Sequence, residues 1–188
     1  MKEEIKKTVE VLKKGGIIVY PTDTIWGIGC DATNPKAVEK LYKLKQREGD
    51  KTFILLVDST DKIKDLVDGD VDCAFELMNN WSKPLTIVYP NASKKLDSKL
   101  IRDDGSVAIR VSKDEFSKTL IQEFGKPIVS TSANFSGTET PLYFKMIDNE
   151  LIKRCDYVVD LFHDSVNEVK ASTIIRIKND CTFEVIRP

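Results

Sequence analysis

The sequence has 188 residues, with Lys+Arg 29 against Asp+Glu 30, a formal net charge of -1, 41% hydrophobic and 31% charged residues. That is the composition of one compact domain with a core, 1–188, and it excludes a disordered or collagen-like chain. The near-neutral balance also excludes the broad cationic field of a protein whose main task is gripping nucleic-acid phosphates, so any anion site must be local. The longest apolar runs, Ile17 to Tyr20 and Phe53 to Val57, fall far short of the roughly 20 residues that cross a bilayer. Met1 to Lys7 is charged and lacks the apolar stretch of a signal peptide, so a cytoplasmic protein with no membrane contact is expected. Cys30, Cys73, Cys155 and Cys181 form no close pair of the zinc or dithiol kind and read as reduced, mostly buried thiols.

Ile5, Val9 and Leu12 recur at helical spacing and Gly15-Gly16 stops the helix. Ile17 to Val19 is a short β-branched strand that delivers Tyr20-Pro21-Thr22-Asp23-Thr24 at its carboxyl end. Asn34-Pro35 reads as cap and first turn of a helix with Ala37, Val38, Leu41, Tyr42 and Leu44 inward, ending in Lys45-Gln46-Arg47 with Lys51 beyond. A central strand is expected at Phe53 to Val57, helices near Thr60 to Val67 and Val71 to Asn80, and strands at Leu85 to Tyr89 and Val107 to Val111. Then follow a helix from Asp114 to Phe124 closed by Gly125, a strand at Ile128 to Ser130 and a helix around Leu142 to Lys153. Strands at Tyr157 to Asp160, Thr173 to Ile177 and Phe183 to Ile186 end the chain. The alternation predicts an α/β domain with one twisted sheet, mixed because several late connections are too short for helical crossovers.

Common catalytic plans are missing. His163 is the one histidine, no Gly-x-Ser-x-Gly elbow accompanies it, and a solvated loop residue is the simpler reading. There is no phosphate loop of the Gly-x-x-x-x-Gly-Lys type, and Gly27 and Gly29 form only Gly-x-Gly, which suits a tight backbone path. Polar clusters remain at element ends. Thr22-Asp23-Thr24 could bind a ligand or simply make a turn. Lys45, Arg47 and Lys51 could neutralise a polyphosphate or complement a helix dipole. Ser130 to Gly137 is dense in hydroxyl and amide groups directly after an apolar strand, which fits an oxygen-rich ligand. Arg110 interrupts the apolar strand Val107 to Val111 and, if it faces inward, needs a carboxylate or phosphate.

Taken in order, Tyr20 to Gly29, Lys45-Gln46-Arg47 with Lys51, Ser106 to Val111 and Ser130 to Gly137 resemble the motifs of YrdC-type threonylcarbamoyl-AMP synthases. The resemblance spans residues 15 to 188 and is most specific at the K-x-R stretch of Lys45 and Arg47 and the S-x-N stretch of Ser132 and Asn134. Asn134, absent from some proteins of the same fold, favours the synthase. The segment Asp164 to Ala171 departs from the glycine-rich loop often found before the late Ser-Thr strand, and the chain resembles the short, single-domain form.

The resemblance implies a YrdC-like domain with its mixed sheet flanked by helices. It implies an enzyme that converts L-threonine, bicarbonate or CO2, and ATP into threonylcarbamoyl-AMP and pyrophosphate for tRNA modification. Thr24, Leu56, Arg110, Ser130 and Ser172 would surround threonine, with Leu56, like Ser106 at the nucleotide, acting through backbone atoms. Arg47, Lys51, Ser106, Ser132, Thr140 and Arg187 would surround ATP. Lys45, Arg47, Lys51, Ser132 and Asn134 form the catalytic set. Mg²⁺ would ride on phosphates and water with no protein ligand. Downstream tRNA-modification proteins would take the product, and direct contact with tRNA would be weak. The competing reading is an RNA-binding module of the same fold without adenylate synthesis, although no RNP-type or GXXG motif is present.

Overall fold

The computed structural model describes residues 1–45, 53–165 and 171–188. Its elements are α1 (Lys2–Lys13), β1 (Ile18–Tyr20), β2 (Gly27–Asp31), α2 (Pro35–Lys45), β3 (Ile54–Val57), α3 (Asp72–Asn80), β4 (Leu85–Tyr89), β5 (Val107–Val111), α4 (Glu115–Phe124), β6 (Ile128–Ser132), α5 (Asn149–Lys153), β7 (Tyr157–Val158), β8 (Thr173–Ile177) and β9 (Phe183–Arg187). Local chemistry sets several ends. The Asp114 side chain accepts from the Ser117 N–H at 2.7 Å to cap α4, and Gly125 closes it at φ 77°, a left-handed conformation that costs glycine nothing.

Three elements differ from the sequence reading. The helix expected from Thr60 is a 3-10 segment, Thr60–Asp65. The one expected over Leu142 to Lys153 divides into a 3-10 turn, Phe144–Met146, and α5, because Asp148 caps a new helix through the Glu150 N–H at 2.7 Å. Strand β2 went unread because Gly27 and Gly29 carry no strand propensity.

Among the described residues, nine strands form one sheet in the order β7-β1-β2-β6-β3-β5-β4-β8-β9. It is mixed as expected: β1/β7, β3/β5 and β4/β8 are parallel and the other pairs antiparallel. Helix α1 is tied to the sheet edge by Glu4, whose carboxylate accepts from Tyr157 Oη at 2.6 Å and from the Asp160 N–H at 3.0 Å.

Side chains of directly paired residues share a face, so the register sorts the sheet. One face carries Val19, Ile28, Leu55, Ile109, Ile87 and Ile175 and packs on Val38 and Leu41 of α2 and Ala74 and Met78 of α3. On the other face, Ile18, Tyr20, Leu56 and Ile128 are covered by Leu12 of α1 and Phe116 and Leu120 of α4. These two helices reach only part of that face. Beyond them its side chains become small or polar, and there the site forms.

The cysteine reading is half corrected. Cys73 and Cys181 form a disulfide that joins α3 to the β8–β9 turn, 108 residues apart in sequence, whereas Cys30 and Cys155 are free. Burial pushes each of those two thiols up to about 12, so both remain inert. Reducing the disulfide, or making Cys73→Ser, should cost about 2 kcal/mol. The low end of the usual range is expected because β8 is held independently by its ladder to β4. Thermal melts with and without dithiothreitol would test this, and coincident curves would contradict it.

Candidate functional site

The register that buries Leu56 under α4 also builds the open part of the face. Gly27 and Gly29 pair with Ser132 and Ser130, Ile54 with Ser130 and Ala108, and Leu56 with Arg110. Further along the sheet, Thr86 pairs with Ile174, and Ile174 with Arg187. Hydroxyls, small residues and the guanidinium groups of Arg110 and Arg187 therefore share the part of that face that α1 and α4 do not reach. They surround a cavity of about 330 Å³ lined in part by Thr24, Arg110, Ser130, Ser132, Ser172 and Arg187.

The Gly-x-Gly of β2 makes room for an aromatic ring. Tyr20 is fully buried and its hydroxyl donates to Ser130 Oγ at 2.7 Å. A methyl group at Gly29 would lie 3.1 Å from the Tyr20 ring and would collide with the Val129 carbonyl oxygen, whereas one at Gly27 would meet nothing closer than 3.2 Å. Gly29→Ala should then cost about 2 kcal/mol by overpacking, with a fall in Tm of roughly 4–8 °C. Gly27→Ala should cost far less. Equal melting temperatures for the two variants would remove the argument.

Thr22 and Thr24 satisfy both sequence readings at once. Thr22 Oγ1 donates to the Ile25 carbonyl at 2.7 Å and accepts from the Thr24 N–H at 3.1 Å, which is turn chemistry. The same turn brings Thr24 Oγ1 to 3.4 Å from Arg110 Nη1, at the cavity wall. Arg110 faces inward with 6% exposure, and its Nη2 lies 3.3 Å from Asp23 Oδ1.

The S-x-N stretch is organised by a buried cation. Lys45, 1% exposed at the end of α2, donates from Nζ to the carbonyls of Ser132 (2.7 Å) and Asn134 and to Asn134 Oδ1 at 3.2 Å. Ser132 Oγ donates to Asn134 Oδ1 at 2.5 Å, and Asn134 Nδ2 closes the turn on the Thr138 carbonyl at 2.7 Å. At the far wall, Arg187 donates from Nε and Nη2 to the Ser172 carbonyl at 3.1 and 2.8 Å, and Ser172 Oγ lies 2.8 Å from Thr86 Oγ1. Burial, with the charge of Arg110 across the cavity, lowers Arg187 below the usual arginine value.

The structure thus brings Thr24, Arg110, Ser130, Ser132, Thr140, Ser172 and Arg187 to one cavity, with Lys45 and Asn134 behind Ser132. It does not bring two others to the lining. The Leu56 side chain is fully buried beneath α4, which leaves only its backbone near the site. Ser106 turns its hydroxyl onto Asp104 at 2.5 Å. Arg47 and Lys51 lie outside the described residues. Sequence reasoning missed Arg102, which lines the cavity and bonds through its own N–H to the Ser106 carbonyl at 2.8 Å. It also missed the pairing of Asp23 with Arg110. His163 is a loop residue, as read, with its side chain 31% exposed; its ring stacks on Phe144 with centroids 3.8 Å apart, Nε2 meets the Val159 carbonyl at 2.8 Å, and it is not among the residues that line the cavity.

Among the described residues no group of three or more His, Cys, Asp or Glu converges on a point that could hold a metal ion, and no helix is long and apolar enough to cross a membrane. The family described as "Telomere recombination", comprising Sua5, YciO and YrdC, matches residues 10–188. The threonylcarbamoyl-AMP synthase of Pseudoalteromonas translucida is 36% identical over 159 residues, covering 83% of this chain and 84% of that protein. Among solved structures, E. coli YciO superposes with a TM-score of 0.85 at 27% identity, covering 100% of this chain and 89% of that one. P. abyssi Sua5 in complex with L-threonine gives a TM-score of 0.88 at 24% identity, covering 98% of this chain and 53% of that one. With its mixed sheet, its polar cavity and a match over nearly its whole length, the chain belongs to the Sua5/YciO/YrdC family.

Proposed function

We propose that the protein, working as one domain over residues 1–188, is a threonylcarbamoyl-AMP synthase. It would convert L-threonine, bicarbonate or CO2, and ATP into threonylcarbamoyl-AMP and pyrophosphate, the intermediate being destined for tRNA modification. The observation that carries this reading is the pair of guanidinium groups, Arg110 and Arg187, at one hydroxyl-lined cavity of about 330 Å³. Their charges oppose each other, and an anion between them relieves that repulsion. The synthase relatives and the threonine complex of P. abyssi Sua5 support the identity of the substrate.

The chemistry needs positioning more than a dedicated base. The threonine amine adds to CO2 and loses a proton, giving a carbamate whose oxygen attacks the α-phosphorus as pyrophosphate leaves. The nucleophile is already anionic, so the protein's work is to hold two anions together and stabilise charge on phosphorus. Arg110 would take the threonine carboxylate as a planar fork, with Thr24, Ser130 and Ser172 about it and the Leu56 backbone below. Ser132, Thr140 and Arg187 would face the nucleotide, with Arg47, Lys51 and Ser106 as further contacts. Lys45 and Asn134 hold the turn that presents Ser132. Mg²⁺ is proposed as part of the ATP substrate, carried on phosphate oxygens and water. A cytoplasmic location and transfer of the product to tRNA-modification proteins belong to the same proposal.

The deciding experiment mixes protein, ATP, threonine and bicarbonate and measures pyrophosphate. Release that requires both threonine and bicarbonate is expected. Release indifferent to either, or salt-sensitive RNA binding without any turnover, would overturn the proposal in favour of an RNA-binding module.

A further inference from the structure

Arg110 does not stand alone at its end of the cavity. Asp23 Oδ1 lies 3.3 Å from its Nη2, and the two side chains are 6% and 12% exposed. Both Asp23 oxygens are shielded from solvent and accept no hydrogen bond, so among the described residues Asp23 has that guanidinium as the partner for its charge. A second carboxylate, Asp114, stands close by at the start of α4: one of its oxygens caps the helix at 2.7 Å, and the other is buried without a hydrogen bond. Burial and the charge of Asp23 raise the Asp114 carboxyl while the Arg110 charge lowers it, as expected of three groups sharing one buried neighbourhood. Two carboxylates are therefore set beside the Arg110 guanidinium, while Arg102 and Arg187 line other parts of the cavity, Arg187 on the far wall beside Ser172.

Such a balance treats two kinds of ligand differently. A plain carboxylate that approaches Arg110 must compete with Asp23 for the guanidinium and brings an uncompensated negative charge beside that buried carboxylate. An α-amino acid brings the same carboxylate with its own cation, so the entering net charge is zero. At low effective dielectric that difference is large, because a buried charge without a counter-charge is costly. A lone arginine would welcome both ligands.

We propose that Asp23, with Asp114 behind it, is a specificity-determining residue that makes the Arg110 end of the cavity select an α-amino acid over a carboxylate lacking the amine. Asp23 works through its charge on Arg110 and not by touching the ligand, which is consistent with its shielded oxygens. The inference rests on Arg110 holding the substrate carboxylate, and the test separates the two.

Calorimetry would measure binding of L-threonine and of (R)-3-hydroxybutyrate, which is threonine without its amine. The native protein should prefer threonine by about a hundredfold or more. In Asp23→Asn that preference should fall at least tenfold, mainly through gained affinity for the hydroxy acid. Asp114→Asn keeps a competent helix cap while removing the second charge, so it should narrow the preference in the same direction and serves if Asp23→Asn does not fold. An unchanged preference in every folded variant, with Arg110→Lys weakened toward both ligands, would overturn the role of Asp23 and leave the carboxylate reading standing. Unchanged binding of both ligands by Arg110→Lys would overturn the carboxylate reading itself, and with it this inference.

Discussion

Replacing Lys45 by Met should lower kcat/KM for pyrophosphate release by about a thousandfold, equivalent to roughly 4 kcal/mol of transition-state stabilisation. Lys45 is almost wholly buried, and its ammonium donates to the carbonyls of Ser132 and Asn134 and to the Asn134 side chain. Methionine matches the length of the lysine stem but leaves those acceptors facing an apolar group. Each unsatisfied acceptor costs about 1–3 kcal/mol, so the turn would reorganise to reach water. Ser136 Oγ, which donates to the Lys45 carbonyl at 2.7 Å, would transmit part of that movement. Because Ser132 lies on the same strand end and lines the cavity, displacement of the turn moves a substrate-facing hydroxyl. Some loss of Tm is expected as well, and the assay must be run well below the variant's melting point. Near-native turnover in a folded Lys45→Met protein would show that the S-x-N turn holds its shape without the cation.

Legibility in the sequence followed the range over which each feature is determined. The cap and stop of α4 were readable because Asp114 and Gly125 act on their own helix within a few residues. Arg110 was readable because an arginine in an apolar strand demands a counter-charge wherever the strand lies. The identity of that counter-charge was not, since Asp23 reaches Arg110 only when the sheet order sets β1 and β5 on a common face. The disulfide failed for the same reason, its halves being 108 residues apart, one in α3 and one in the β8–β9 turn. Strand β2 was hidden because its glycines, which look like breakers, sit against the Val129 carbonyl, Thr22 and the Tyr20 ring, and no local rule announces those contacts. Arg102 sits in a polar turn with no periodic signal and becomes a cavity residue only through the path of its loop. The open face itself was invisible until the register showed where α1 and α4 stop covering the sheet.

Deleting Arg187 and Pro188 tests the far wall of the cavity. Residues at a chain end usually tolerate trimming unless something ties them down, and all of β9 is exposed, so little apolar burial is lost. What is lost is a guanidinium that grips the Ser172 carbonyl at 2.8 and 3.1 Å and stands across the cavity from Arg110. The nucleotide loses a charged hydrogen bond, worth about 1.5–3 kcal/mol. KM for ATP should therefore rise about tenfold to a hundredfold. The threonine site loses less: the carboxylate at Arg110 gives up a more distant positive charge, and Ser172 gives up the contact that holds it at the rim. The threonine KM should consequently rise only a few-fold, a divergence that general loosening of the fold would not produce. Tm should drop by no more than about 3 °C, because the β8 ladder to β4 is untouched. A parallel rise in both KM values would mean that the deletion damaged the sheet edge. An unchanged KM for ATP, with matched melting temperatures, would leave Arg187 as a structural clasp on Ser172 with no part in holding the nucleotide.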